Sequence, residues 1–217
     1  MNVYERTQRR LKTVFEAFDN VYVSFSGGKD SGVLLNLCID YIRRYGLKRR
    51  IGVFHMDYEI QYRDTLSYVD RMLASNPDIL DVYRVCVPFK VQTCTSMFQR
   101  YWRPWEESKR SLWVREMPAG SLVRSDFPFF TDEMWDYEFQ TRFAEWLHAR
   151  CGAARTCCLI GIRTQESFNR WRTIYSDRNH HRFSGKRWIR QWVGGGICNA
   201  YPLYDWLTTD IWTANGR

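Results

Sequence analysis

An α/β fold, with a mainly parallel twisted sheet and helices on both faces in the manner of Rossmann-like proteins, follows from three features of the sequence. Short β-branched and aromatic runs of strand length stand at 21–25, 51–56, 82–87 and 156–162. Helical apolar patterns separate the first three of them. The order strand, glycine turn, helix, strand, helix, strand is the one a parallel sheet with crossover helices requires.

The elements follow in chain order. Residues 4–18 predict a helix in which Tyr4, Leu11, Val14, Phe15 and Phe18 share one face, ended by Asp19-Asn20. The buried run 21–25 leads into a tight turn, Ser26-Gly27-Gly28-Lys29-Asp30-Ser31. A strongly apolar helix then carries Val33, Leu34, Leu35, Leu37, Cys38, Ile39 and Ile42 and ends at Gly46. Residues 51–56 form the second strand, closed by Asp57. Residues 62–74 form a helix stopped by Asn76-Pro77, and 82–87 a third strand stopped by Pro88. Residues 90–131, with Trp102, Trp105 and Trp113, break the rhythm. They predict an insertion of short helices packed over one edge. A helix from Asp132, as its cap, to His148 follows, then the strand 156–162, a turn and a short helix over 164–172. Residues 173–200 are basic, with glycines at 194–196 and no clear period, and 208–210 reads as a last helix start.

The 217 residues predict one domain over 1–217, large enough to bury a core without staples. Hydrophobic residues at 45% and charged residues at 26% exclude a disordered chain. No apolar run approaches the ~18 residues of a membrane span. Residues 1–12 are polar and basic, unlike a secretory leader, so the chain is expected in the cytoplasm with no membrane partner. The seven cysteines form no CxxC pair and read as reduced thiols. The net charge of +8 is uneven: residues 140–217 carry 12 Lys/Arg against 5 Asp/Glu. The stretch 163–190, with Trp171, Trp188 and Trp192 in or beside it, therefore suggests a nucleic-acid partner. His180-His181 lie within it without metal-ligand spacing and read as surface or substrate contacts.

The glycine turn carries the chemistry. Two glycines let successive backbone amides point into one concavity, and the following helix adds its free first-turn N–H groups and positive dipole end. Ser26 and Ser31 add hydroxyls and Lys29 a cation, so the turn is a phosphate cradle at the carboxyl end of a strand. It is not a Walker loop, since Val23 stands at the first glycine position and Asp30 follows Lys29; no GxGxxG is present.

The run 25–31 resembles the SGGxDS pyrophosphate loop of the N-type ATP pyrophosphatases, the adenine nucleotide α-hydrolase superfamily. Three further stretches resemble its phosphoadenylyl-sulfate (PAPS) reductase branch. These are the strand ending at Met56-Asp57, the GxRxxESxxR pattern from Gly161 to Arg170, and the proline-to-tryptophan stretch from Pro202 to Trp212. The Trp-rich insertion resembles PAPS-reductase-like proteins encoded beside ParB-like partners, the prophage co-activator type.

The resemblance implies binding of ATP or a related adenine nucleotide, with Mg²⁺. Ser26, Gly27, Gly28, Lys29 and Ser31 would contact phosphate, and Met56 and Asp57 the adenosine. Asp30 is either a Mg²⁺ ligand or a helix N-terminal acid that braces the loop. Gly161 and Arg163 would sit at the same edge, Arg163 as an oxyanion clamp and, with Lys29 and Asp30, part of the catalytic set. Glu166 would orient Arg163 and Arg170 add a second cation, although the two also read as an ordinary i,i+4 pair.

The branch's reductases use a cysteine near the C-terminus, whereas the last cysteine here is Cys198 and the chain stops soon after Trp212. A C-terminal region is expected to be missing or supplied by a partner, and no iron–sulfur cluster is expected. Cys157 and Cys158 read as buried strand residues and Cys198 as sitting on a mobile segment near the nucleotide. Three functions remain. One is ATP pyrophosphatase or adenylyl transfer in nucleic-acid modification or phage defence. The others are a nucleotide-sensing subunit of a ParB-like partner and a PAPS reductase.

Overall fold

The computed structural model describes residues 1–176, 181–192 and 195–216. His180 and Gly194, singled out above, lie outside them. In chain order the elements are α1 (Val3–Ala17), β1 (Asn20–Ser24), α2 (Lys29–Arg44), β2 (Ile51–Met56), α3 (Arg63–Ala74), β3 (Leu80–Val85), β4 (Val91–Gln92) and β5 (Tyr101–Trp102). They continue with α4 (Asp136–Cys151), β6 (Thr156–Ile160), α5 (Phe168–Tyr175), β7 (His181–Arg182), β8 (Ile189–Gln191), β9 (Ile197–Ala200) and α6 (Thr208–Asn215).

The main sheet has the order β3-β2-β1-β6-β9-β8-β7. The first five strands run parallel, while β8 and β7 complete the sheet antiparallel. Side chains alternate between two cores, as a period of two demands. Val21 and Val23 of β1, Ile51 and Val53 of β2, and Cys157 and Leu159 of β6 face α1, α2, α3 and α6. Tyr22, Phe54 and Cys158 face the other way, against Phe139, Phe143 and Leu147 of α4. There Phe54 stacks on Phe143 with centroids 4.1 Å apart.

The fold class is as the sequence predicts; several local readings need correction. The fourth helix starts at Asp136, because Glu138 accepts from the Trp135 amide at 2.8 Å, while Asp132 instead takes Arg124 at 2.6 Å. The insertion holds two short helices of the 3₁₀ kind (Glu107–Leu112 and Arg124–Asp126) and, besides them, the antiparallel pair β4-β5. It runs along the free edge of β3, where the Leu122 amide donates to the Arg84 carbonyl at 2.7 Å and Cys86 donates to Leu122 at 2.8 Å. The aperiodic stretch 173–200 contributes β7, β8 and β9. These strands of two to four residues are too short to display alternation.

Part of the family-like pattern near the C-terminus is architectural. Asp205 forms a two-pronged pair with Arg10 of α1 at 2.6 and 2.7 Å, and Trp206 Nε1 donates to Thr7 Oγ1 at 2.8 Å. Arg10 also lies 4.4 Å above the Tyr204 ring. Among the described residues no helix is long and apolar enough to cross a membrane.

His55 of β2 is buried, with Nδ1 2.8 Å from the Phe25 carbonyl and Nε2 without a partner. Burial pushes its pKa below the ordinary 6.5, so the folded chain holds a neutral imidazole. The unfolded chain takes up a proton below that value, so stability should fall as pH drops below about 6.5. Urea unfolding between pH 7 and 5 checks this. His55→Gln should flatten the acid limb, and equal slopes in the two proteins would refute the assignment.

Candidate functional site

The site forms at the carboxyl end of β1, where the chain turns into α2. Two serine hydroxyls shape the turn. Ser31 Oγ donates to the Gly28 carbonyl at 3.0 Å and accepts from the Ser26 amide at 3.3 Å; Ser26 Oγ lies 3.1 Å from it and accepts from the Gly28 amide at 3.3 Å. With Ser31 Oγ already donating, Ser26 supplies the hydrogen between the two hydroxyls. The amides of Lys29, Asp30 and Ser31 are first-turn amides of α2 and have no intrahelical acceptor.

The two glycines do different work. Gly27 has φ +80°, and a Cβ there would stand 2.6 Å from Val69 Cγ2 and 3.1 Å from Thr65 Cγ2, so it seats the turn on α3. A Cβ on Gly28 would meet only Ser26 Oγ, at 3.4 Å, so this residue faces open space. Gly161, just after β6, allows a close approach from the other side: its Cβ would lie 3.0 Å from the Asp30 carbonyl oxygen and 3.1 Å from the Ser31 nitrogen.

Behind the turn is a buried ion-pair chain. Arg163 is 2% exposed, and its Nε donates to Asp30 Oδ1 at 2.6 Å. Its Nη1 reaches Gln165 Oε1 at 3.5 Å and Thr208 Oγ1 at 3.3 Å. Glu166 accepts from the Arg163 amide at 2.9 Å, lies 3.7 Å from Arg163 Nη2 and pairs with Arg170. The other Asp30 oxygen takes Lys29 Nζ at 3.1 Å, while Lys29 itself is partly open to solvent. Both carboxylate oxygens of Asp30 are thus held by cations. This arrangement fits the bracing role; among the described residues no group of three His, Cys, Asp or Glu side chains gathers as a metal site.

Met56 and Asp57 belong to a different network. Met56 is buried in the second core. Asp57 is fully buried: Oδ1 accepts from the Glu59 amide at 2.9 Å and pairs with Arg115, and Oδ2 takes Arg84 at 2.9 Å. Glu59, at φ +64°, accepts from the amides of Trp105 at 2.8 Å and Val114 at 3.1 Å, and Trp105 Nε1 donates to the Asp57 carbonyl at 2.7 Å. The insertion is therefore tied down over the end of β2. No sequence signal marked Glu59 or Arg115, whose partners lie about fifty residues apart along the chain. A cavity of about 770 Å³ within the insertion, lined by Arg103, Arg124, Trp105 and Phe127, is separate from the turn.

One thiol, Cys198, is placed differently from expectation. Cys198 lies inside β9, paired in register with Cys157, and burial pushes it up to about 11. It sits within the sheet rather than on a mobile segment, on a strand of four residues that is too short to show alternation. Cys157 and Cys158 are buried as expected, and burial holds Cys158 near 12. Only Cys94 and Cys151 are exposed among the cysteines. Of the tryptophans in the basic stretch, Trp188 is buried and Trp192 half-buried against the second core, so Trp171 alone faces solvent.

The family model described as phosphoadenosine phosphosulfate reductase domain matches residues 20–215. The uncharacterized protein YbdN of Escherichia coli (strain K12) is 36% identical over 216 residues, which are 98% of this chain and 51% of that protein; the chain thus spans about half the length of this curated relative. Among solved structures, Candida glabrata FMN adenylyltransferase in complex with FMN and the ATP analog AMPCPP is similar with a TM-score of 0.54, at 13% identity over 98% of this chain and 55% of that one. A tRNA thiolase, NcsA, from Methanococcus maripaludis is similar with a TM-score of 0.50, at 10% identity over 99% and 62%. At these identities the likeness is one of fold.

The two glycines separate folding from binding. Gly28→Val should keep the thermal midpoint within about 4 °C of the parent and lose binding of pyrophosphate, the anion such a cradle fits. Gly27→Val should lower stability by roughly 1–3 kcal/mol through backbone strain and the Val69 clash. Calorimetric titration and thermal unfolding of both variants check the pair, and undiminished pyrophosphate affinity in a folded Gly28→Val protein would remove the site.

Proposed function

This chain belongs to the phosphoadenosine phosphosulfate reductase domain family, and from that premise we propose that it binds ATP at the β1–α2 turn and cleaves it between the α and β phosphates. The observation that carries this reading is a turn held rigidly from behind and open in front. Asp30 is fixed by Arg163, while Gly28, Lys29 and the first-turn amides face outward. An oxygen nucleophile attacks the α-phosphorus, the bond from that phosphorus to the bridging oxygen breaks, and pyrophosphate leaves with the electron pair. Charge accumulates on the leaving group, where the oriented first-turn amides need little reorganisation. Lys29 exchanges its Asp30 contact for phosphate. Asp30 and Arg163 act as positioning residues, and Ser26 and Ser31 keep the turn in shape. Mg²⁺, where it accompanies ATP, would be carried by phosphate oxygens, water and a carboxylate, and Asp30, released by Lys29, is the carboxylate that the turn would offer.

The reductase reading is weaker on the positions of the thiols. Attack on a sulfonucleotide requires an accessible thiolate, and Cys157, Cys158 and Cys198 are buried with raised pKa values. A nucleotide-sensing role beside a ParB-like partner is favoured by one observation. The insertion and the adjoining loop expose Ile60, Tyr62, Met97, Phe98 and Leu112, each more than half open to solvent.

Incubation with ATP should give AMP and pyrophosphate, alone or on addition of an acceptor, and Lys29→Ala should slow the reaction about 10²–10³-fold. PAPS with thioredoxin should yield no sulfite. Sulfite formation without ATP cleavage would replace this proposal with the reductase.

A further inference from the structure

Helix α5 carries a column of three aromatic rings on its outer face. Phe168, Trp171 and Tyr175 are 71%, 45% and 37% exposed. Their centroids are 5.8 and 5.1 Å apart, and successive ring planes differ by only 15° and 14°. The spacing i, i+3, i+7 keeps them on one face, while Ile174 of the same helix is fully buried. The column is thus not the core-facing side of α5.

The surroundings are cationic. The Arg187 guanidinium lies 5.1 Å above the Tyr175 ring, and Arg172 and Arg187 are exposed. Glu166, the carboxylate just before the helix, is already paired with Arg163 and Arg170. A purely apolar protein surface would have to desolvate these arginines. A polyanion with flat apolar rings meets both halves of the surface at once: phosphates with the guanidinium groups, and bases with the open Phe168 end and exposed margins of the ring column, since Trp171 lies between its neighbours and Arg187 covers Tyr175.

We propose that the Phe168–Trp171–Tyr175 column with Arg172 and Arg187 is a stacking platform for single-stranded nucleic acid. A duplex fits less well, because its base faces are already stacked. The inference stands on this surface alone and does not require ATP cleavage at the β1–α2 turn.

Fluorescence anisotropy of a labelled oligothymidylate of twenty nucleotides, with the full chain, tests it. The single strand should bind more tightly than a duplex of equal length, and log K should fall with log salt by roughly 0.7 per phosphate contacted. Trp171→Ala and Phe168→Ala should each weaken binding about 5–100-fold, and Arg187→Ala should lower the salt slope by about 0.7. Calorimetry should find ATP affinity unchanged in Trp171→Ala, while Gly28→Val should keep its oligonucleotide affinity, so that failure of one site is told apart from failure of the other. Absence of binding at low salt, tighter binding of the duplex, or unaltered affinity in both aromatic variants would overturn the platform.

Discussion

The pair between Asp30 and Arg163 is the interaction on which the geometry of the turn depends. An arginine this deeply buried is tolerated only when its charge is matched, because removing one partner of a buried pair typically costs about 3–5 kcal/mol. Here the match comes from the first turn of α2, where a carboxylate also complements the helix dipole. The same guanidinium reaches Gln165 and Thr208, so α2, the segment after β6 and the start of α6 converge on one group. Gly161 makes the convergence possible by leaving room for the Asp30 backbone. The turn is consequently fixed from its inner side, and its outward amides need no further support.

The acidic group at the end of β2 is held by the same kind of logic and with the opposite result. Asp57 is surrounded by Arg84, Arg115 and the Glu59 amide, so its oxygens are spent inside the protein. Glu59 and Trp105 then fasten the insertion across that strand end through backbone contacts. The insertion is therefore fastened over the end of β2, and the Asp57 carboxylate is committed to Arg84, Arg115 and the Glu59 amide.

Four of the parallel strands (β1, β2, β3 and β6), the helices α1 to α4 and the turn were legible because each is a local pattern: a β-branched run, an apolar helical face, two glycines between a strand and a helix. Gly161, Arg163 and Glu166 were legible as a motif, but their roles were not. Arg163 lies 133 residues from Asp30 along the chain, and only the fold shows that it spends its Nε on that carboxylate instead of facing outward. The strands β7 to β9 were illegible for the reason that they are too short to alternate, and Cys198 was misplaced with them. Asp205 and Trp206 show the converse: a strong motif whose side chains fasten α1 to the C-terminal segment.

The same sorting applies to charge. The basic excess of the last third is not all surface. Arg163 is inside the ion-pair chain, and Arg190 is buried with Nη2 on the carbonyls of Ile174 and Ser176, where it closes the end of α5. Guanidinium groups serve well there because several donors can meet several backbone or carboxylate acceptors at once. Of the exposed arginines that remain, Arg142, Arg150, Arg155 and Arg170 lie elsewhere on the surface or in ion pairs, while Arg172 and Arg187 lie on or against the helix whose exposed face is aromatic. Burial thus removes from a composition argument the cations that hold the fold and leaves those that a partner can reach. The polyanion site proposed on α5 rests on the coincidence there of exposed guanidinium groups with exposed rings, and not on the charge count of the stretch.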